Sequence, residues 1–193
     1  MTDASDTSDS GSGDSADGPD HWPTPPNPNP HDLHLGDPGP SVAVELNFLT
    51  EDVEPPLKGW LDRQLARVAS LAGVHRGQLS VALVSDDRMT DLQQRYKGAT
   101  GTTDVLSFDL RDDPADPVEA DLVICLDQAA HNAQAYGHDT RLEVLLCAVH
   151  GLLHLIGYDD CDPQHAARMH RREDELLTQA GLGPVYDPKG HRP

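Results

Sequence analysis

The sequence predicts an α+β domain: a small mixed β-sheet with helices packed on it. Three observations carry that reading. Strand and helix signals alternate between residues 42 and 180, in the order βαβα, then two strands, then three helices. The run 140–156 is apolar on nearly every side, as a helix buried in a core is. The first 40 residues are almost all Asp, Ser, Gly, Pro, Asn and Thr, with Pro23, Pro25, Pro26, Pro28 and Pro30 in close succession. Such a stretch cannot bury enough apolar surface to offset its ordering entropy, so it is expected to be a disordered acidic tail.

Each element has its own signal. Residues 42–48 alternate apolar and polar with period two, a strand. Residues 56–72 place Leu57, Trp60, Leu61, Leu65, Val68 and Leu71 on one helical stripe behind Pro55 and Pro56. Residues 79–84 form a strand. Asp86 and Asp87 are placed to cap a helix carrying Met89, Leu92 and Tyr96. Gly98 and Gly101 mark a loop before a strand at 104–108. A polar, proline-containing connection over 111–119 leads to a buried strand at 122–125, paired with the one before it. A short helix is expected at 128–136, the long buried helix at 140–156, and an amphipathic helix at 162–180. The domain is thus expected at 41–180, with 1–40 and 181–193 as flexible tails.

Charge and cysteines narrow the functions. Fourteen Lys and Arg stand against 33 Asp and Glu, a net charge of −19. The tail holds eight of those Asp and no basic residue, so residues 41–193 still carry −11. That charge is awkward for a nucleic-acid partner, because phosphate contacts need positive charge; a local basic patch within an acidic whole remains open. The N-terminal stretch has no basic and apolar halves of a signal peptide, and no apolar run approaches 18 residues, so no membrane partner is expected. Cys125, Cys147 and Cys161 form no CxxC, and two lie in apolar runs, which suits reduced thiols and a cytoplasmic location.

The buried helix carries the chemistry. It ends His150-Gly-Leu-Leu-His154-Leu-Ile-Gly157-Tyr158-Asp159-Asp160. An offset of four returns to within roughly 40° of the same helical face, so His150 and His154 can aim at one ion. The next turn of a helix cannot supply a third ligand to that point. Gly157 lets the chain turn back, and Asp160 follows within reach. Two His and one Asp suit zinc, one ion per chain, with a fourth position open to water. Cys161, directly after Asp160, is an alternative thiolate ligand.

With these residues in view, the chain resembles the YbeY family of bacterial endoribonucleases, also called rRNA maturation factors. The metal segment is similar to that family's H-G-x-L-H-L-x-G-Y-D-H. Thr103-Asp104-Val-Leu-Ser107-Phe108 is similar to P-T-D-V-L-S-F, Leu92-Gln-Gln-Arg-Tyr96-Lys97 to L-N-x-x-Y-R, and Asp121-Leu-Val-Ile-Cys125 to G-D-I-x-I. The resemblance runs in unbroken order over about 42–180. It implies a zincin-like fold, a zinc ion, and cleavage of single-stranded RNA in rRNA maturation at the 16S 3′ end. The implied partners are an rRNA precursor and the small ribosomal subunit.

The chain departs from the pattern at informative places. Asp160 stands where the family has His, which adds a negative ligand and makes the ion less Lewis acidic. Lys97 stands where it has Arg, keeping charge but losing the bidentate fork that matches phosphate. Thr102 and Ala120 replace Pro and Gly. The catalytic candidates are Lys97 and His150; Lys97, Thr103 and Ser107 are the candidates for RNA contact, with Arg95, Arg88 and Arg63 as the few other nearby cations. In HExxH proteases the residue after the first His is a glutamate base; here it is Gly151, which argues against ordinary proteolysis. A metallopeptidase and a ribosome assembly factor with a structural zinc remain the alternatives.

Overall fold

A computed structural model describes residues 43–48 and 55–186. The tail expected at 1–40 lies outside the described residues. The elements are β1 (Ala43–Phe48), α1 (Pro55–Leu71), β2 (Gly77–Val84), α2 (Asp86–Lys97), β3 (Val105–Asp109), β4 (Val118–Cys125), α3 (Leu126–Tyr136), α4 (Thr140–Leu155) and α5 (Pro163–Gln179).

The sheet runs β1-β2-β4-β3. β1 and β4 each pair parallel to β2, while β3 pairs antiparallel to β4, with Ser107 opposite Leu122. β3 is therefore an edge strand, with one side of its backbone unpaired within the sheet. This is the mixed α+β architecture expected.

The strand at β4 begins earlier than its apolar run suggests. Val118, Ala120 and Leu122 are buried while Glu119 and Asp121 face solvent. Acidic residues on the outer face, next to Pro117, made that half look like a loop; it is a period-two strand with one wet side. Asp86 and Asp87 also do not cap α2. Ser85 does, its side chain accepting from Arg88 N, and the two aspartates occupy the first turn.

The two faces of the sheet are covered differently. Leu79, Val81, Leu83, Leu122 and Ile124 pack with Leu61, Leu65 and Val68 of α1 and with α4 and α5. On the other face Val84, Leu106 and Cys125 pack with Met89 of α2, flanked by Leu92 and Phe108. Eleven of sixteen α4 residues are buried, so this helix is the central strut of the domain. At roughly 25 cal/mol per Å² of apolar surface, helices buried this fully contribute more than their intrinsic propensity does.

The chain beyond Gly181 is not loose where it is described. Val185 and Tyr186 are buried, and both their backbone N–H groups donate to Asp174 Oδ1, at 2.7 and 3.2 Å. The Tyr186 ring stacks on His170 at 4.3 Å between centroids. The expected tail thus starts no earlier than residue 187. Among the described residues no helix is long and apolar enough to cross a membrane.

Candidate metal centre

The site is built at the C-terminal end of α4. The helix closes with a Schellman turn: Tyr158 N donates to Leu153 O at 2.9 Å and Gly157 N to His154 O at 3.1 Å. Gly157 sits at φ +94°, a left-handed conformation that glycine adopts without penalty. The chain then reverses. Asp159 Oδ1 accepts from Asp160 N at 2.8 Å and Cys161 N at 3.2 Å. Asp162 caps α5 by accepting from Gln164 N and His165 N. Asp160 is held between these two local devices.

The two imidazoles converge. His154 Nε2 lies 3.0 Å from His150 Nε2. The Asp160 carboxylate is 3.7 Å from His150 Nε2 and 3.8 Å from His154 Nε2. Ligand atoms around a tetrahedral zinc, at about 2.0–2.2 Å bonds, stand about 3.3–3.6 Å apart, so the three groups are spaced to hold a metal ion. The opposite ring nitrogens are occupied. His154 Nδ1 is 3.1 Å from Tyr158 O, and His150 Nδ1 is 2.8 Å from Glu173 Oε1. Both are acceptors, so each ring, when neutral, holds its proton on Nδ1 and faces the common point with an unprotonated Nε2.

Electrostatics match. Burial is the largest influence on His150 and disfavours its charged form. The hydrogen bond and charge of Glu173, then the charges of Asp104 and Asp160, outweigh it and raise the pKa. A ring in this surrounding favours a positive species beside it. Glu173 Oε2 is buried and has no hydrogen-bond partner among the described residues.

The ligand atoms open into a cleft of about 460 Å³ lined by Lys97, Thr103, Asp104, Val105, Leu106, Ser107, His150, His154 and Asp160. The candidates Lys97, Thr103, Ser107, His150, His154 and Asp160 meet there, whereas Arg63, Arg88, Arg95 and Cys161 are not among its lining residues. Lys97 reaches the rim because Tyr96, edge-on to Phe108 at 5.1 Å, ties the last turn of α2 to β3. Thr103 donates from Oγ1 to Asp104 Oδ1 at 3.3 Å. Ser107 lies between the cleft and α4: a Cβ on Gly151 would come within 2.7 Å of Ser107 Oγ and of Leu122 Cδ2.

Three residues escaped the sequence reading as parts of the site. Asp104 lines the cleft and acts on His150. Gly151 is a close-approach glycine. Glu173 sits with Met169, Leu176 and Leu177 on the buried stripe of α5, where a carboxylate is out of place; that misplacement was the available signal. Cys161 is exposed and lies with Asp162 and His165 in a separate cluster.

Comparisons with known proteins give the chain a family. The family model described as Endoribonuclease YbeY matches residues 45–181. The Endoribonuclease YbeY of Carboxydothermus hydrogenoformans is 41% identical over 55% of this chain and 74% of its own. That of Desulfitobacterium hafniense is 32% identical over 73% of this chain and 96% of its own. A solution structure of a Thermotoga maritima protein shares the fold at TM-score 0.53 and 24% identity, covering 71% of this chain and 88% of that one. By the extent of the family match and the identity of these relatives, this chain belongs to the YbeY endoribonuclease family.

Proposed function

We propose that this chain is a zinc-dependent endoribonuclease that cuts single-stranded RNA, with one zinc ion held by His150, His154 and Asp160. The convergence of two bare Nε2 atoms and a carboxylate at the floor of an open cleft carries the reading. A bound zinc ion supplies Lewis-acid chemistry toward a phosphodiester and acidifies water at its open position.

The chain's own residues bind and orient. Lys97 brings positive charge to the rim, where phosphoryl oxygens need it. The Thr103 hydroxyl lines the same wall and can reach the RNA backbone. Ser107 is pressed toward α4, so its hydroxyl contacts the strand only at the inner end of the cleft. A cleft of about 460 Å³ is the size of a small-ligand pocket and accepts an unpaired segment rather than a duplex. The edge strand beside the helix that bears HxxxH supports reading the fold as zincin-like.

Family membership and the names of the relatives support RNA as the substrate; the motif resemblance extends the reading to an rRNA precursor, cut at the 16S 3′ end on the small ribosomal subunit in the cytoplasm. Proteolysis is disfavoured because the position of the protease glutamate is Gly151, where a Cβ would fall 2.7 Å from Ser107 Oγ and Leu122 Cδ2. A purely structural zinc is disfavoured because the ligands face a cleft.

The test is purified protein assayed for zinc and for cleavage of single-stranded RNA, duplex RNA and peptide, beside His154→Ala. Wild type should cut the single strand, and the variant should lose both metal and cleavage. Zinc-loaded wild type that cuts peptide but not RNA would overturn the reading.

A further inference from the structure

We propose that Glu173 is the positioning residue that fixes His150 as a metal ligand. The inference rests on the metal reading above. Glu173 comes from α5, 23 residues beyond His150, and its side chain is fully buried. Its Oε1 is 2.8 Å from His150 Nδ1. An ionised carboxylate can only accept, so the imidazole proton sits on Nδ1 and the lone pair on Nε2, the atom that faces His154 and Asp160. A ring bonded this way cannot rotate or change tautomer without breaking that bond.

The second oxygen tells the rest. Oε2 is buried without a hydrogen-bond partner among the described residues, and the neighbours of Glu173 on its own helix stripe are Met169, Leu176 and Leu177. A buried carboxylate with one bond made and one unmade costs folding free energy. A cation on the far side of the His150 ring would complement this carboxylate, so the residue serves the metal-loaded protein. Outer partners of this kind also raise the basicity of the ligating nitrogen.

The experiment uses full-length wild type, Glu173→Gln and Glu173→Met. Zinc affinity is measured by competition with a chromophoric chelator, and the melting temperature is measured on zinc-free protein. The tautomer of His150 in zinc-free wild type is read from long-range proton–nitrogen NMR at a pH where the ring is neutral. Zinc affinity should fall about tenfold with Gln and toward a hundredfold with Met, the range found when such partners are removed. The zinc-free melting temperature should stay near that of wild type with Gln, which keeps an acceptor for His150 Nδ1. Unchanged affinity overturns the proposal. So does an affinity loss accompanied by a matching drop in zinc-free melting temperature, which marks a structural role. An Nε2-protonated His150 in wild type overturns it without any variant. Wild type that binds no zinc would instead bring down the metal reading itself.

Discussion

Ser107 Oγ and Leu122 Cδ2 occupy the space where Gly151 would carry a side chain: its Cβ would fall 2.7 Å from each. Gly151 lies between the two metal-site histidines, so α4 touches the sheet at the level of the site itself. Replacing a helical glycine by alanine ordinarily gains about 1 kcal/mol. Here overpacking costs about 1–3 kcal/mol and should win. Gly151→Ala is expected to lower the melting temperature by a few degrees, about 2–6 °C for a domain of this size. Calorimetry of Gly151→Ala alone and with Ser107→Ala checks it. The second change removes the Oγ and should restore part of the loss. An alanine variant more stable than wild type would show that the helix does not press on the sheet.

The ligand geometry predicts one zinc per chain, lost when both imidazoles go. His150→Ala/His154→Ala should purify with no stoichiometric metal, whereas Asp160→Ala should keep a weakened site, since its carboxylate is 45% exposed and farther from each histidine than they are from each other. Elemental analysis after dialysis against a weak chelator separates the three proteins. Full metal in the double variant would place the ion elsewhere.

Why the site was largely legible and its supports were not is a matter of range. His150, His154, Gly157 and Asp160 lie within eleven residues, so helical periodicity and one turn suffice to bring them together. Glu173 reaches His150 only after α5 folds back, and in sequence it looks like one more charge in Arg171-Arg172-Glu173-Asp174-Glu175. The apolar stripe around it was visible; that its one acid faces inward was not. His138 shows the same limit. It stands among polar residues in the sequence, and it pairs at 2.6 Å with Glu143, which is wholly buried. In the sheet, the alternation from Val118 to Leu122 is hard to see in the sequence because its outward residues are acidic.

Arg111 braces the site from behind, and this brace should be sensitive to acid. Its guanidinium bonds both oxygens of Asp109, at 2.8 and 2.6 Å, and donates to Leu155 O at 2.6 Å, the residue after His154. The Arg111 hydrogen bond holds the Asp109 carboxyl below its ordinary 3.8. A depressed carboxylate stabilises the fold above its ordinary value, and that contribution is lost as pH falls through the lowered one. Because Asp109 is 41% exposed, the pair is screened and is worth ~0.5–1 kcal/mol. Asp109→Asn should therefore be less stable than wild type at neutral pH, and the two should converge below about pH 3–4. Denaturant unfolding across that range checks it; parallel curves would remove Asp109 from the acid response.

The −11 charge of residues 41–193 makes the RNA contact the sharpest question about this cleft. Lys97 is the one cation among its lining residues, while Asp104 and Asp160 line it too. An acidic cleft binds a polyanion only if the metal and this lysine together outweigh the carboxylates. Removing a phosphate-contacting lysine weakens binding about equally across sequences and flattens the salt dependence by about one unit of slope. Lys97→Ala should thus lower both affinity for single-stranded RNA and the rate of cleavage, with zinc content intact, because Lys97 touches no ligand. Lys97→Arg should match or exceed wild type: it keeps the charge and adds the planar fork that binds phosphate through two bonds. Titrations at several salt concentrations, beside single-turnover cleavage, measure both effects. If Lys97→Ala binds and cuts RNA like wild type, the phosphate is held elsewhere, and Lys97 is only the exposed end of α2.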